Sequence, residues 1–239
     1  MTRATSPTTT TPPIPGLRLI YEFLTPPEEH HIQHHIYSEP PSPWVTLSHR
    51  RLLWYGTPAS TDVAPPHKYR QIHPLPSCIS SIAQRLHAQG HQTHRANHVL
   101  VNEYRPGQGI MPHEDGPAYE PEAAIVSLLS AIDLDWYDKR IESRHRPVYS
   151  AYLLPRSLLL ISGAAYTDYL HGIAECDVNR NGEPRQLRLS LTLRHAKSVQ
   201  EEGGEEAGPY VAPDARRHDR LAAVHAFERI TGRKLGALR

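Results

Sequence analysis

Hydrophobic and polar residues alternate along two stretches of the chain, 132–137 and 188–194, and this alternation predicts β-strands. Between residues 188 and 194 leucines occupy every second position, so the leucines form one face of a strand and the polar residues the other. The stretch 124–137 is predicted to be one long strand whose acidic residues, Asp133 and Asp135, face solvent. Shorter strands between Gly- and Pro-containing turns are predicted at 17–23, 44–55, 98–104, 110–114, 149–154 and 157–161.

Two early segments carry the signals of helices. Thr25 as N-cap, Pro26 at the first helical position and Glu28 closing a capping box predict a helix that runs to about Tyr37. Apolar residues recur at helical spacing over 77–88 and predict a second helix. Many short strands with two early helices indicate a β-rich α+β domain.

The size and charge of the chain limit its function. Its 239 residues suffice for one sizeable core, and a formal net charge of +1 gives no overall attraction to nucleic acid, so any such contact must be local. Cys78 and Cys176 lie far apart and are interpreted as reduced thiols of an intracellular protein. No apolar run approaches transmembrane length, so we expect no membrane contact, and we expect a monomer in cytoplasm and nucleus.

Composition divides the chain into four parts. Residues 1–15 are rich in Thr and Pro and are expected to be disordered. Residues 16–198 form the predicted domain. Residues 199–213 are acidic and Gly-rich and predict a flexible linker, whereas apolar spacing within 214–239 predicts a C-terminal helix.

Three separated elements carry the candidate chemistry, and two of them supply metal ligands. His113 and Asp115 are two residues apart on a predicted strand, so their side chains share a face. An imidazole and a carboxylate on one face are two of the three ligands in a 2-His-1-carboxylate site for non-haem Fe(II), and His171 is well placed to be the third. The His-x-Asp tripeptide alone is weak evidence, because surface histidines and aspartates are common.

The third element is the polar face of the strand at 188–194. Arg188 and Arg194 lie on that face, and two inward guanidinium groups are costly unless an anion lies between them. A dicarboxylate cosubstrate would meet that need, because arginine pairs with a carboxylate through two hydrogen bonds. The alternative is an edge strand with two solvated arginines. The order of the three elements along the chain argues against coincidence.

At these residues the sequence resembles the AlkB family of Fe(II)/2-oxoglutarate dioxygenases. The family pattern is an Asn and a Tyr one residue apart, then His-x-Asp, a distant His, and Arg-x-Asn-x-Thr-x-Arg. Residues 97–117 are most similar to the eukaryotic AlkB homologue 6 subfamily. The matching positions here are Asn102, Tyr104, His113, Asp115, His171, Arg188, Ser190, Thr192 and Arg194, with Ser190 where many members carry Asn.

The resemblance implies a fold, a cofactor and a cosubstrate. The fold would be a double-stranded β-helix, or jelly roll, braced by the N-terminal helices. The triad of His113, Asp115 and His171 would hold Fe(II) and carry catalysis, with O2 as oxidant. Arg188 would pair with the far carboxylate of 2-oxoglutarate. The rest of the cofactor-binding set would be Asn102, Tyr104, Ser190 and Arg194.

Residues 44–76 resemble the nucleotide-recognition lid of the same family. Arg50 and Arg51 suit phosphate contacts, and Trp54 and Tyr55 suit stacking on a base, so all four are expected to bind substrate. Lys68 and Arg70 follow in a Pro-rich loop that extends the same lid. The alternative is that the two aromatic residues pack in the core.

The implied activity is oxidative dealkylation of alkylated bases in DNA or RNA, on a single strand or a flipped-out base. Two alternatives remain open. The same oxygenase chemistry could hydroxylate or demethylate a protein, or the domain could be a nucleic-acid binding module with little turnover.

Overall fold

Two antiparallel β-sheets pack against each other and enclose the polar face of the 188–194 strand. A computed structural model describes residues 8–38, 44–57, 73–141 and 146–197. Within these ranges the strands are β1 Thr9–Thr10, β2 Leu17–Ile20, β3 Val45–Thr46, β4 Arg51–Gly56, β5 His98–Tyr104, β6 Ile110–His113, β7 Glu122–Leu128, β8 Ile132–Asp138, β9 Tyr149–Leu153, β10 Leu158–Ser162, β11 Tyr169–Ile173 and β12 Arg188–Arg194. The helices are α1 Pro26–Ser38, α2 Ser77–Ala88 and α3 Gly163–Thr167.

The order of the strands places β12 at the centre of the larger sheet. That sheet runs β1-β2-β10-β7-β12-β5-β4-β3, and the smaller one runs β6-β11-β8-β9. All seven residues of β12 are buried, and both of its neighbours pair with it antiparallel. The alternative of an edge strand with solvated arginines is therefore wrong.

Helices α1 and α2 cover the outer face of the larger sheet. The leucines of β12 pack in one core with apolar side chains of both helices. The predicted capping box starts α1: the Thr25 backbone N–H donates to Glu28 Oε2 at 2.7 Å, and the Glu28 backbone N–H donates to Thr25 Oγ1 at 3.4 Å. Among the described residues, no helix combines the length and apolar character needed to cross a membrane.

The predicted single strand at 124–137 is wrong, because the chain turns a corner inside it. β7 belongs to the larger sheet and β8 to the smaller one. Leu129 adopts a left-handed conformation at the corner, with φ of 72°. The turn contains neither Gly nor Pro, so the usual sequence signals of a turn are missing.

The acidic residues of β8 are also buried rather than solvated. Asp133 is 6% exposed and Asp135 is 2% exposed. The Arg180 backbone N–H donates to Asp133 Oδ2 at 2.7 Å, and Arg180 Nη2 donates to Asp135 Oδ1 at 2.7 Å. The loop between β11 and β12 therefore covers this end of the smaller sheet and supplies the charges that permit burial.

The N-terminal segment is ordered over part of the range predicted to be disordered. From residue 8 the chain lies against the larger sheet, where Thr9 and Thr10 pair with Ile20 and Leu19. Ile14 is 3% exposed and packs in the core between the sheets. The composition of the segment does not reveal this contact, because the contact consists of backbone pairing and a few buried side chains such as Ile14. The predicted linker at 199–213, the C-terminal helix, Lys68 and Arg70 lie outside the described residues.

Candidate functional site

Sheet pairing brings the three predicted metal ligands together. His171 on β11 lies opposite His113 on β6 in the register of the smaller sheet, and their ring centroids are 4.4 Å apart. Asp115 follows two residues after the end of β6. One ligand atom from each residue lies within 4.8 Å of the others, and within the described ranges no other group of three His, Cys, Asp or Glu residues comes this close.

The close approach of β6 and β11 depends on Gly172, which follows His171. A Cβ at Gly172 would lie 2.9 Å from the carbonyl oxygen of Ile110 and 2.9 Å from the nitrogen of Pro112. Pro112 can occupy β6 because this strand is an edge strand, where a missing N–H leaves no partner unsatisfied. Gly172 and Pro112 are of residue types that usually interrupt strands, but here they allow His113 and His171 to face each other.

Burial and charge set the protonation states that a metal requires. Burial, aided by the neighbouring His113, lowers the pKa of His171 to about 3. Burial also lowers the pKa of His113. Burial alone would raise the pKa of Asp115, but the charge of Arg194 outweighs it, and that pKa lies below its usual value. The site therefore presents two neutral imidazoles and one carboxylate at neutral pH, which is the donor set of a divalent ion.

The carboxylate of Asp115 is held on one side only. Arg194 Nη2 donates to Asp115 Oδ1. The other oxygen, Oδ2, is buried and has no hydrogen-bond partner among the described residues. An unpaired buried carboxylate oxygen is costly, and a bound cation would remove that cost. This orphaned oxygen shows that the three residues fit a metal ion.

The pocket beside the triad is a cavity of about 210 Å³ between the two sheets. Asn102 and Tyr104 on β5 pair with Ser190 and Arg188 on β12, so one wall of the cavity carries the predicted cosubstrate residues. These four residues line the cavity together with the triad, Arg50, Tyr119, Thr192 and Arg194, with apolar side chains between them.

Arg188 is a buried cation whose hydrogen-bonding capacity is only partly used. It is 2% exposed, and its Nη2 donates to Ser127 Oγ at 2.9 Å, while its Nε has no acceptor among the described residues. Burial lowers the pKa of Arg188 to about 10, so it stays charged at neutral pH. Within the described ranges, no carboxylate lies within ion-pair distance of this guanidinium. A carboxylate ligand would supply the missing anion.

The four predicted lid residues do not share one role, because strand alternation separates them. In the register between β4 and β5, Arg51 lies opposite Glu103 and Tyr55 opposite Val99, on the face that packs against the helices. Tyr55 is 2% exposed within that core, so its predicted stacking on a base is wrong. The reason is the period of two along a strand, which points Tyr55 away from the cavity.

Arg51 also forms an ion pair within the protein, and this pair occupies its guanidinium group. Its Nε and Nη2 donate to the two carboxylate oxygens of Glu103 at 2.7 and 2.6 Å, and Tyr37 Oη donates to the same carboxylate at 2.7 Å. Its guanidinium carbon lies 4.7 Å from the centre of the Trp44 ring. Glu103 is 2% exposed and needs this cation, so the predicted phosphate contact of Arg51 is wrong.

Arg50 and Trp54 remain on the side of the cavity. Arg50 lines it, and its buried Nε has no acceptor among the described residues. Its charge acts on both His113 and Tyr104. Trp54 is half-buried and lies opposite Leu100, a residue of the cavity wall. These two positions keep the geometry expected of substrate contacts.

Sequence reasoning missed two residues next to the site, Tyr119 and His98. Tyr119 lies in an irregular loop, where no periodicity marks its direction. His98 is the first residue of β5 and lies opposite Arg194 in the sheet register. The even spacing between His98, Asn102 and Tyr104 places all three on one face, and this signal could have found His98.

Comparisons with known proteins agree with this geometry. A match to the 2OG-Fe(II) oxygenase superfamily covers residues 16–194. Probable RNA/DNA demethylase ALKBH6 of Danio rerio is 33% identical over 211 residues, which span 77% of this chain and 87% of that protein. A tRNA (carboxymethyluridine(34)-5-O)-methyltransferase, alkbh8 of Xenopus tropicalis, is 29% identical over 162 residues, 66% of this chain and 25% of that protein.

A solved structure supports the fold as well. The structure of OsALKBH1 matches with a TM-score of 0.59 at 16% identity, over 76% of this chain and 98% of that one. The predicted double-stranded β-helix is thereby confirmed. Fe(II), 2-oxoglutarate and O2 are the cofactor and cosubstrates of this superfamily, and the His-Asp-His cluster fits them. The chain is therefore a dioxygenase of the AlkB family, within the 2OG-Fe(II) oxygenase superfamily.

Proposed function

We propose that this protein removes N-linked alkyl groups from bases of DNA or RNA by oxidation. One observation carries the proposal: a single cavity joins a metal-ligand triad to a buried arginine with an open hydrogen-bond donor. The name of the Danio rerio relative, a probable RNA/DNA demethylase, supports nucleic acid as the substrate class.

Each side chain of the cavity receives a role from its contacts. We assign His113, Asp115 and His171 as the ligands of Fe(II), because their donor atoms converge. Arg188 would pair with the far carboxylate of 2-oxoglutarate, since its Nε lacks an acceptor. Asn102, Tyr104 and Ser190 complete that wall, and Arg194 keeps Asp115 ionised. Iron bound here supplies the oxidising chemistry: 2-oxoglutarate and O2 become succinate and CO2, and a methyl group on nitrogen leaves as formaldehyde.

The protein contributes position, charge and exclusion of water. β6 and β11 fix the two histidines through backbone pairing, so little rearrangement is needed for binding. The low pKa of His171 keeps its imidazole neutral and available as a ligand. The apolar side chains of Ile110, Ile125, Leu134 and Ile173 line the remaining wall and keep bulk water out of the cavity.

Substrate would enter past Arg50 and Trp54. A base must leave its stack to reach a metal in a cavity, and an aromatic side chain compensates for the lost stacking. Trp54 lies on the cavity side of β4, which suits that contact. The free donor of Arg50 suits a phosphate oxygen or a base carbonyl. We also propose that the protein acts in the cytoplasm and nucleus.

A panel of methylated oligonucleotides tests the proposal. Matched DNA and RNA strands, single and double, would be incubated with the full chain, iron, ascorbate and 2-oxoglutarate. Mass spectrometry should show loss of one methyl group from at least one strand, with formaldehyde and succinate in equal amounts. Asp115→Ala should abolish both products. Demethylation of a peptide panel, with none of any oligonucleotide, would overturn the proposed substrate and favour a protein hydroxylase.

A further inference from the structure

A chain of side-chain contacts connects the metal-ligand candidate Asp115 to the backbone at the end of β4. Arg194, which holds Asp115, lies with its guanidinium carbon 4.7 Å from the centre of the Tyr119 ring. Tyr119 Oη lies 3.3 Å from His98 Nε2. His98 Nδ1 lies 2.8 Å from the carbonyl oxygen of Thr57. The chain therefore runs from Thr57 through three side chains to the carboxylate.

The position of each hydrogen atom in this series of contacts follows from the group at its end, the carbonyl of Thr57. The carbonyl of Thr57 can only accept, so His98 Nδ1 must carry the hydrogen. Burial lowers the pKa of His98 to about 4, so its ring is neutral at pH 7 and Nε2 has a free lone pair. Tyr119 must then donate to Nε2. Burial also raises the pKa of Tyr119, which keeps its hydroxyl protonated and able to donate. Every hydrogen bond along the chain is thus directional.

Arg194 has two described side-chain contacts, the ion pair with Asp115 and the ring of Tyr119. It is the last residue of β12, and its side chain is 8% exposed, with a buried Nε that has no acceptor among the described residues. A guanidinium on a long flexible side chain loses conformational entropy when it is held in one orientation. The face of a buried aromatic ring attracts the cation and restricts where it can lie. The ring of Tyr119 offers that face, and His98 holds the ring through its hydroxyl group.

We propose that Tyr119 and His98 are positioning residues for the metal site. They hold Arg194 so that it contacts Oδ1 of Asp115 and leaves Oδ2 free to bind a metal. This inference rests on the proposed metal site, since without a metal the free oxygen has no function. It adds two residues that act on the metal site through Arg194: Tyr119 in the wall of the cavity and His98, which contacts the hydroxyl of Tyr119.

Metal binding by variants of the full chain tests the proposal without any turnover. Manganese(II) affinity would be measured by calorimetry on metal-free protein, and cobalt(II) absorption would report ligand geometry. Tyr119→Leu removes both ring and hydroxyl and should weaken manganese binding by about tenfold, as is usual for residues that support a metal ligand. Tyr119→Phe keeps the ring under the guanidinium and should weaken it by about threefold or less.

His98 gives a second and milder measure. His98→Gln can keep a polar group close to Tyr119 Oη, whereas His98→Ala cannot, so the glutamine variant should retain more manganese affinity. Tyr152→Phe is the matched control, because it removes a tyrosine hydroxyl that bonds to Glu183 at the far side of the smaller sheet. That control should bind manganese like the wild type. Thermal unfolding of each metal-free variant shows whether it is folded.

The outcomes separate this inference from the proposed function. Weaker manganese binding with an altered cobalt spectrum, in a folded Tyr119→Leu protein, supports the positioning role. A lower melting temperature with wild-type affinity and an unchanged spectrum would mean that Tyr119 only stabilises the fold, and the inference would be wrong. If Tyr119→Leu does not fold, equal affinities of His98→Gln, His98→Ala and wild type overturn it. A wild-type protein that binds no manganese would overturn the metal site itself.

Discussion

Two strands of the larger sheet each present a pair of arginines near the cavity, and the pairs differ in how they are used. Arg188 and Arg194 lie at the two ends of β12, with an even spacing that puts both on the inner face. Arg51 is the first residue of β4 and Arg50 directly precedes it, so the side chains of these neighbours diverge. Both β12 arginines enter the cavity, but only Arg50 of the β4 pair does.

This comparison shows that the position of an arginine along its strand, and not its residue type, determines its role. Arg51 is neutralised by a buried carboxylate of its own protein, Glu103. Arg194 is neutralised by Asp115, whereas within the described ranges no carboxylate pairs with Arg188 or Arg50. A buried arginine of the cavity without a carboxylate partner marks a place for an anionic ligand, whereas an arginine with such a partner stabilises the fold or holds another side chain.

The largest effect should come from removing the anion that Arg194 holds. Asp115→Ala takes away the only charged ligand of the triad and leaves Arg194 without its partner, so manganese(II) binding should fall below detection by calorimetry. Glu114→Ala is the neighbouring control, because this side chain is 58% exposed and pairs with Lys139. Unchanged metal affinity in the Asp115 variant would contradict the ligand assignment.

The two β12 arginines should separate by function. Arg188→Ala should weaken 2-oxoglutarate binding to the manganese-loaded protein by about a hundredfold, because a buried charge-assisted pair is lost, and should leave metal affinity nearly unchanged. Arg194→Ala should weaken metal binding more than 2-oxoglutarate binding, since Arg194 contacts the metal-ligand candidate Asp115. A larger loss of 2-oxoglutarate affinity in Arg194→Ala would mean that the two roles are exchanged. If neither variant binds 2-oxoglutarate more weakly, the cosubstrate assignment of this pocket is wrong.

For β4, Arg51→Ala should lower the free energy of unfolding by about 2 kcal/mol, because Glu103 stays buried with only Tyr37 as donor. The value is below that of a fully buried pair, since Arg51 is 31% exposed. The carboxylate of Glu103 has a lowered pKa because the hydrogen bonds from Arg51 and Tyr37 outweigh its burial. Its contribution is therefore present above the unfolded pKa of about 4.3 and lost as the pH falls further. Urea unfolding at pH 7 and pH 3 should show the gap between variant and wild type shrinking in acid; an equal gap at both would contradict the ion pair.

The smallest expected effect belongs to Arg50. Arg50→Ala should weaken binding of a single-stranded oligonucleotide by about tenfold, whereas Arg51→Ala should not, as long as it is folded. Fluorescence anisotropy over a range of salt concentrations distinguishes the type of contact. A salt slope reduced by about one indicates a phosphate contact, and an unchanged slope with weaker binding indicates a base carbonyl. Equal losses in both variants would contradict the separation of the two arginines by strand alternation.

Much of the metal site was predictable because its residues follow strand periodicity. His113 and Asp115 share a face by spacing alone, and the polar face of β12 is visible as leucines alternating with polar residues. The capping box of α1 and the bounds of α2 also follow from local signals, and the structure confirms both. The residues of the site can be identified from the sequence because each strand contributes a short, regular pattern of residue types.

The features that sequence reasoning missed depend on contacts between distant segments. Asp133 and Asp135 are buried because Arg180 reaches them from another loop, which no local pattern records. The corner at Leu129 has no glycine or proline to mark it. The residue types of Tyr55 and Arg51 predict substrate contacts, although the alternation along β4 already separates these two side chains from Trp54.

The position of Asp115 has a mechanical consequence. The two histidines belong to the smaller sheet, while Asp115 is gripped by the last residue of β12 in the larger one. A divalent ion held by all three would therefore act as a cross-link that fastens one sheet to the other through Arg194. Its binding free energy would add to the stability of the folded chain in proportion to the logarithm of ion concentration. Amide hydrogens at the end of β12, and not only those near the histidines, should then exchange more slowly when the ion is added.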